Sequence, residues 1–120
     1  MSPLKGQTGL KRILNAAGYS FDGLRAAFTG EAAFRQLVLL NVLLIPASFM
    51  LHVSRVERAL MIAVCLLALI VELLNSAIEA AIDRISLELH PLSKNAKDMG
   101  SAAQMVAMVM IAAVWAVILL

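Results

Sequence analysis

A single cysteine, Cys65, occurs in the chain, so no internal disulfide can form and cysteine usage says nothing about redox compartment. Charge is also scarce. Only 15% of the 120 residues are Asp, Glu, Lys or Arg, against 62% hydrophobic, and the mean hydropathy is +0.89. A soluble domain of this length cannot hide so much apolar surface, so a small integral membrane protein with one domain, 1–120, is expected. The net charge of +2 is too small to suggest nucleic acid. Neither GxxxxGK[ST] nor GxGxxG is present, which excludes a conventional nucleotide fold. No signal peptide is expected either, because Lys11, Arg12, Asp22 and Arg25 interrupt the N-terminal region.

What remains is helical patterning. Met1 to Thr8 reads as a short, polar, loosely held lead. From 9 to 28, Leu10, Ile13, Leu14, Ala17, Phe21, Leu24 and Phe28 recur at helical spacing. Lys11, Arg12, Asn15, Tyr19, Asp22 and Arg25 fill much of the remaining circumference. Such an amphipathic helix suits the headgroup plane, with membrane anchoring as its plainest role. A break at Thr29-Gly30 follows, with Thr29 expected to cap the next helix and Glu31 and Arg35 to form an i,i+4 ion pair. Three spanning helices are predicted at about 31–53, 57–87 and 98–120. Ser54 is placed to cap the second; Pro91 should end it, and Asp98 should open the third. The fold class expected is therefore an all-α membrane protein, three transmembrane helices behind an N-terminal amphipathic surface helix. Eight of ten Lys and Arg residues lie in the N-terminal region and the second loop, and only Arg55 and Arg58 in the first loop. That bias puts the N-terminus and the second loop in the cytoplasm.

The stretch ELLNSAIEAAID, Glu72 to Asp83, continues the second span without a Gly or Pro. On a 3.6-residue repeat Glu72, Asn75, Glu79 and Asp83 share a stripe roughly 60° wide. A carboxylate near membrane depth costs on the order of 2.5–3.5 kcal/mol. Two on one face need a cation, a partner chain or water. At 1.5 Å per residue Glu72 lies roughly 16 Å deeper than Asp83, at or just below the interface. Glu31, the stripe and the Lys97-Asp98 corner then meet at one membrane edge. Carboxylates without Cys or clustered His suit a hard cation such as Mg²⁺ together with phosphate oxygens. The residues alone leave three explanations open: packing between protomers, a cation pathway, or an enzyme site.

ELLNSAIEAAIDR, together with AAGYS at 16–20, LRAAF at 24–28, EAAFRQ at 31–36 and AKDMGSAA at 96–103, closely resembles the prokaryotic integral-membrane diacylglycerol kinases. The likeness runs in register from Arg12 onwards, departing at Asn15, Leu37 and the loop HPLSKNAKD. The resemblance implies a homotrimer in the bacterial inner membrane, with active sites between protomers at the cytoplasmic face. The implied reaction moves the γ-phosphate of ATP to the sn-3 hydroxyl of diacylglycerol, giving phosphatidic acid, with Mg²⁺ as cofactor. By resemblance, Glu72 is the general base with Asn75 beside it, and Glu31 and Glu79 hold the metal. Arg12, Tyr19, Glu88, His90, Lys97 and Asp98, with Glu31 and Glu79, are the implied ATP contacts. Arg12, Ser20, Arg25, Arg35, Gln36, Glu72 and Ser101 are the implied lipid contacts. An undecaprenol kinase and a non-enzymatic trimeric cation conductor lined by Glu72 and Glu79 are the alternatives.

Overall fold

The structure, a computed structural model, describes residues 8–120. The expectation for the polar lead falls outside that range, apart from Thr8. Four helices follow in order: α1 (Gly9–Gly30), α2 (Ala32–Phe49), α3 (Arg55–Ile85) and α4 (Pro91–Leu119). The last three are long and apolar enough to cross a membrane. At 1.5 Å per residue α2 measures roughly 27 Å, close to the hydrocarbon thickness, whereas α3 and α4 reach roughly 45 Å. The excess of α3 lies at its C-terminus and that of α4 at its N-terminus. Together they form the polar hairpin that carries the candidate site.

Local signals account for most helix ends. Ser54 and Glu57 form a capping box at the start of α3: Glu57 N–H donates to Ser54 Oγ at 3.1 Å, and Ser54 N–H donates to Glu57 Oε1 at 2.8 Å. α4 begins at Pro91 rather than near 98. His90 caps it, Nδ1 accepting from Leu92 N–H at 3.1 Å, and Pro91 occupies the first turn, where its missing N–H costs nothing. Pro91 thus starts a helix instead of ending one, and Asp98 sits inside α4.

The break after α1 falls at Glu31, whose extended backbone (φ −123°, ψ 109°) caps α2 without a side-chain bond. Thr29 does not cap α2. Its hydroxyl turns back onto Arg25 O (2.9 Å) and Ala26 O (3.4 Å) within α1. Arg35 departs from the sequence expectation too. Its Nη1 donates to Phe28 O (2.8 Å) and Thr29 O (3.2 Å), satisfying carbonyls left open at the end of α1. No Glu31–Arg35 ion pair forms among the described residues.

The core is one cluster of Leu37, Val64, Cys65, Ala68, Ala107 and Ile111, with Leu40, Leu44, Leu69, Val114 and Trp115 around it. Small side chains at Ala68 and Ala107 let α3 and α4 approach closely, the packing mode that works in lipid. Polar ties from side chains to α3 carbonyls also cross the bundle. Asn41 Nδ2 on α2 donates to Cys65 O at 3.1 Å, and Trp115 Nε1 on α4 donates to Met61 O at 3.2 Å. At the opposite end from the polar hairpin, Arg58 closes the α2–α3 turn by donating to Ser48 O (2.9 Å) and Leu51 O (3.1 Å), its guanidinium 5.5 Å from the Phe49 ring centroid.

Candidate active site

Glu72 is the buried carboxylate of the structure, 7% exposed although it points off a membrane helix. Two amides supply donors to it. Asn75, one turn further along α3, turns its side-chain amide towards it as an electrostatic partner. Gln104 on α4 places Nε2 3.4 Å from Glu72 Oε1 and 3.4 Å from Ala68 O. A buried carboxylate is tolerated when donors replace its lost water. The Asn75 amide fits only because residue 100 is glycine: a Cβ there would overlap Asn75 Oδ1.

The stripe faces α4 and becomes wetter along its length. Glu72 is buried, Glu79 half-buried and Asp83 exposed. The charges of Glu31 and Glu79 both reach Glu72, so three carboxylates of α2's cap and α3 share one neighbourhood. Glu79 also acts on Lys97, whose Nζ donates to Asp83 Oδ1 at 2.7 Å. Asp83 therefore pairs across the hairpin with α4 rather than with its neighbour Arg84. Lys94 and Asp98 form a second pair at 2.6 Å along α4.

Two cavities flank this cluster. One, of about 540 Å³, opens between α1 and α3 and is lined by Ser20, Leu24, Ala27, Glu31, Leu73 and Ala77, among others. The other, of about 630 Å³, lies at the hairpin and is lined by Asp83, Glu88, His90, Lys94, Lys97 and Asp98, among others. Both fall in the size range of small-molecule sites. They differ in character: the first has small apolar walls with one carboxylate, the second is rich in paired charges. With His90 Nδ1 accepting from Leu92 N–H, its Nε2 remains to meet a ligand.

Of the residues singled out from the sequence, the second cavity brings together Glu88, His90, Lys97 and Asp98, and the first brings Ser20 to Glu31. Arg12, Tyr19, Arg25, Gln36 and Ser101 are exposed and line neither, and Arg35 is spent on backbone carbonyls. Among the described residues no three Asp, Glu, His or Cys side chains gather as a cation cage. Glu31 and Glu79 thus offer oxygens for a hard cation that arrives with ligands of its own, such as phosphate oxygens. Gln104 is the site residue that sequence reasoning missed. Its signal was there: between Ala102 and Leu120 it is the one side chain ending in an amide, hydroxyl or charge.

Residues 18–119 match the family described as prokaryotic diacylglycerol kinase. The chain is 79% identical over 119 residues to the diacylglycerol kinase of Pseudomonas aeruginosa, covering 99% of this chain and 97% of that one. To the diacylglycerol kinase of Escherichia coli it is 49% identical over 112 residues, covering 93% and 92%. The Haemophilus influenzae diacylglycerol kinase is 46% identical over 112 residues, covering 93% and 95%. With the family matched over residues 18–119 and relatives 79% and 49% identical over nearly the whole chain, the chain belongs to the prokaryotic diacylglycerol kinase family.

Proposed function

We propose that this chain is an ATP-dependent lipid kinase that phosphorylates the sn-3 hydroxyl of diacylglycerol to give phosphatidic acid. The observation that carries the reading is membership of the diacylglycerol kinase family over residues 18–119, a range that includes the carboxylate stripe. The geometry supports a division of labour. The apolar groove between α1 and α3 suits a lipid whose head reaches Ser20 and Glu31, with Arg25, Gln36 and Ser101, exposed outside the groove, as further headgroup contacts and Arg35 holding the α1–α2 junction. The charged hairpin cavity suits a nucleotide, with Arg12 and Tyr19 approaching from α1.

Glu72 then acts as general base. It takes the proton of the lipid hydroxyl as that oxygen bonds to the γ-phosphorus, the bond to the β–γ bridging oxygen breaks and ADP leaves. Asn75 fixes the carboxylate during this step. Glu31 and Glu79 would hold Mg²⁺ through carboxylate oxygens, as a cation arriving with phosphate ligands of its own. Bound there, the ion would supply neutralisation of phosphate charge. Lys97 neutralises phosphate charge from the protein side, released from Asp83 or sharing it.

The chain works as a single membrane domain, 1–120, in the bacterial inner membrane, with α1 lying in the headgroup plane. The Lys and Arg bias supports a cytoplasmic N-terminus and hairpin, where ATP is available. A homotrimer, with sites completed between protomers, would give the exposed Arg12 and Tyr19 a neighbour to act on. The test is radiolabelled ATP transfer by the purified protein in mixed micelles, with diacylglycerol and undecaprenol as separate acceptors. Labelled phosphatidic acid is expected. Cation flux in sealed vesicles without any labelled lipid would replace the kinase by a conductor.

A further inference from the structure

Glu72 is held from two helices, and only one of the holders belongs to its own. Asn75 moves with α3, so by itself it orients the carboxylate relative to α3 alone. Gln104 comes from α4, and its Nε2 faces two acceptors at once, Glu72 Oε1 and Ala68 O, each at 3.4 Å. Only the nitrogen end of an amide can meet two acceptors, which fixes the orientation of the group. Ala68 O belongs to the turn immediately before Glu72. A single NH₂ therefore clamps the carboxylate to its own helical turn and to α4 together. The other end, Gln104 Oε1, is buried without a protein partner. An unmet acceptor in the apolar C-terminal part of α4 disfavours burying the amide, and the contact with Glu72 is what offsets it.

Building on the kinase reading, we propose that Gln104 is a positioning residue, holding the Glu72 carboxylate from α4 so that it faces the acceptor hydroxyl. Asn75 sets the carboxylate's tilt within α3, and Gln104 sets its register against the hairpin that carries the nucleotide cavity. Loss of Gln104 leaves both substrate sites in place but lets the base swing.

The test compares Gln104→Met, near in volume and without a donor, with the wild type in the micellar assay. A hydrogen bond to a charged group contributes tenfold or more, and a contact at 3.4 Å sits at the weak end, so kcat should fall about tenfold. KM for Mg·ATP and for diacylglycerol should stay within about twofold, the pattern of an interaction lost only in the transition state. Gln104→Asn, whose amide is one methylene short of Oε1, should show the same loss with less change in packing. In a Glu72→Gln background Gln104→Met should cost nothing further, because the group it positions is gone. Unchanged kcat in either single variant, or an equal additional loss in the Glu72→Gln background, overturns the role. A wild type that forms no phosphatidic acid removes the kinase reading and this role with it; an active wild type matched by the Met variant removes only the role.

Discussion

Gly100→Ala acts on both the stability of this fold and its chemistry. Residue 100 is buried in the interior of α4, where Ala is the better helix former by about 1 kcal/mol. Against that gain stands the overlap of the new Cβ with Asn75 Oδ1; Asn75 Cγ would also lie 3.1 Å away. Overpacking a core costs about 1–3 kcal/mol when backbone must give way. Here the obstacle is the far end of a side chain, and Asn75 Oδ1 makes no protein hydrogen bond that rotation would break. Rotation of Asn75 is therefore the cheaper response; it withdraws a donor from buried Glu72, which costs about 1.5–3 kcal/mol against the ~1 kcal/mol helix gain, so thermal stability in detergent should fall by about 1–2 kcal/mol. Turnover should not be spared, because the rotated amide no longer faces Glu72. Losing that donor to a carboxylate should lower kcat at least tenfold, with KM for both substrates nearly unchanged. The assay is kcat per assembled oligomer, paired with Asn75→Ala and the double variant. The double variant should be no slower than Asn75→Ala. Full turnover in a properly assembled Gly100→Ala protein would refute the reasoning, since it would show the base working without Asn75 in its present place.

Three further outcomes follow from the same geometry. Glu72→Gln should assemble and bind Mg·ATP normally, yet turn over at least ~100-fold more slowly, as measured by single-turnover phosphoryl transfer. Lys97→Met removes the pair with Asp83, whose partners are 41% and 50% exposed, so melting should shift by no more than a surface pair's ~0.2–1 kcal/mol. Its KM for ATP should nevertheless rise severalfold if the cavity it lines takes the nucleotide; an unchanged KM places the phosphates elsewhere. Arg58→Ala strips hydrogen bonds from the end of α2 and the cation–π contact with Phe49, lowering stability in a denaturation assay by about 2 kcal/mol while leaving turnover per folded protein intact. Arg58→Lys should not restore it, since one ammonium cannot reproduce the guanidinium fork.

The spans and the stripe were legible because each rests on periodicity, which a chain carries on its face. Ser54 was legible as a cap for a similar reason, since an N-cap acts within one turn; that Glu57 returns the bond to complete a capping box shows only in the structure. The start of α4 was not. Apolar periodicity begins only near Met99, and PLSKNAKD is a helical segment whose side chains are largely solvated, so it leaves no hydrophobic trace. Pro91 compounds this, because the residue that forbids continuation of one helix also favours the first turn of the next. Partners proved harder than elements. The i,i+4 spacing of Glu31 and Arg35 suggests a pair, yet the α1–α2 junction brings open carbonyls at the end of α1 within reach of Arg35, which donates to them instead. Asp83 meets Lys97, fourteen residues away, only because the hairpin sets the register. The site follows the same division. Which carboxylates matter can be read from their stripe, whereas what holds them depends on α4 lying against α3 with a glycine at 100 and an amide at 104. Arg35 engaged elsewhere leaves Glu31 without an arginine partner, and that is the condition under which a carboxylate at a helix junction can turn to a cation instead.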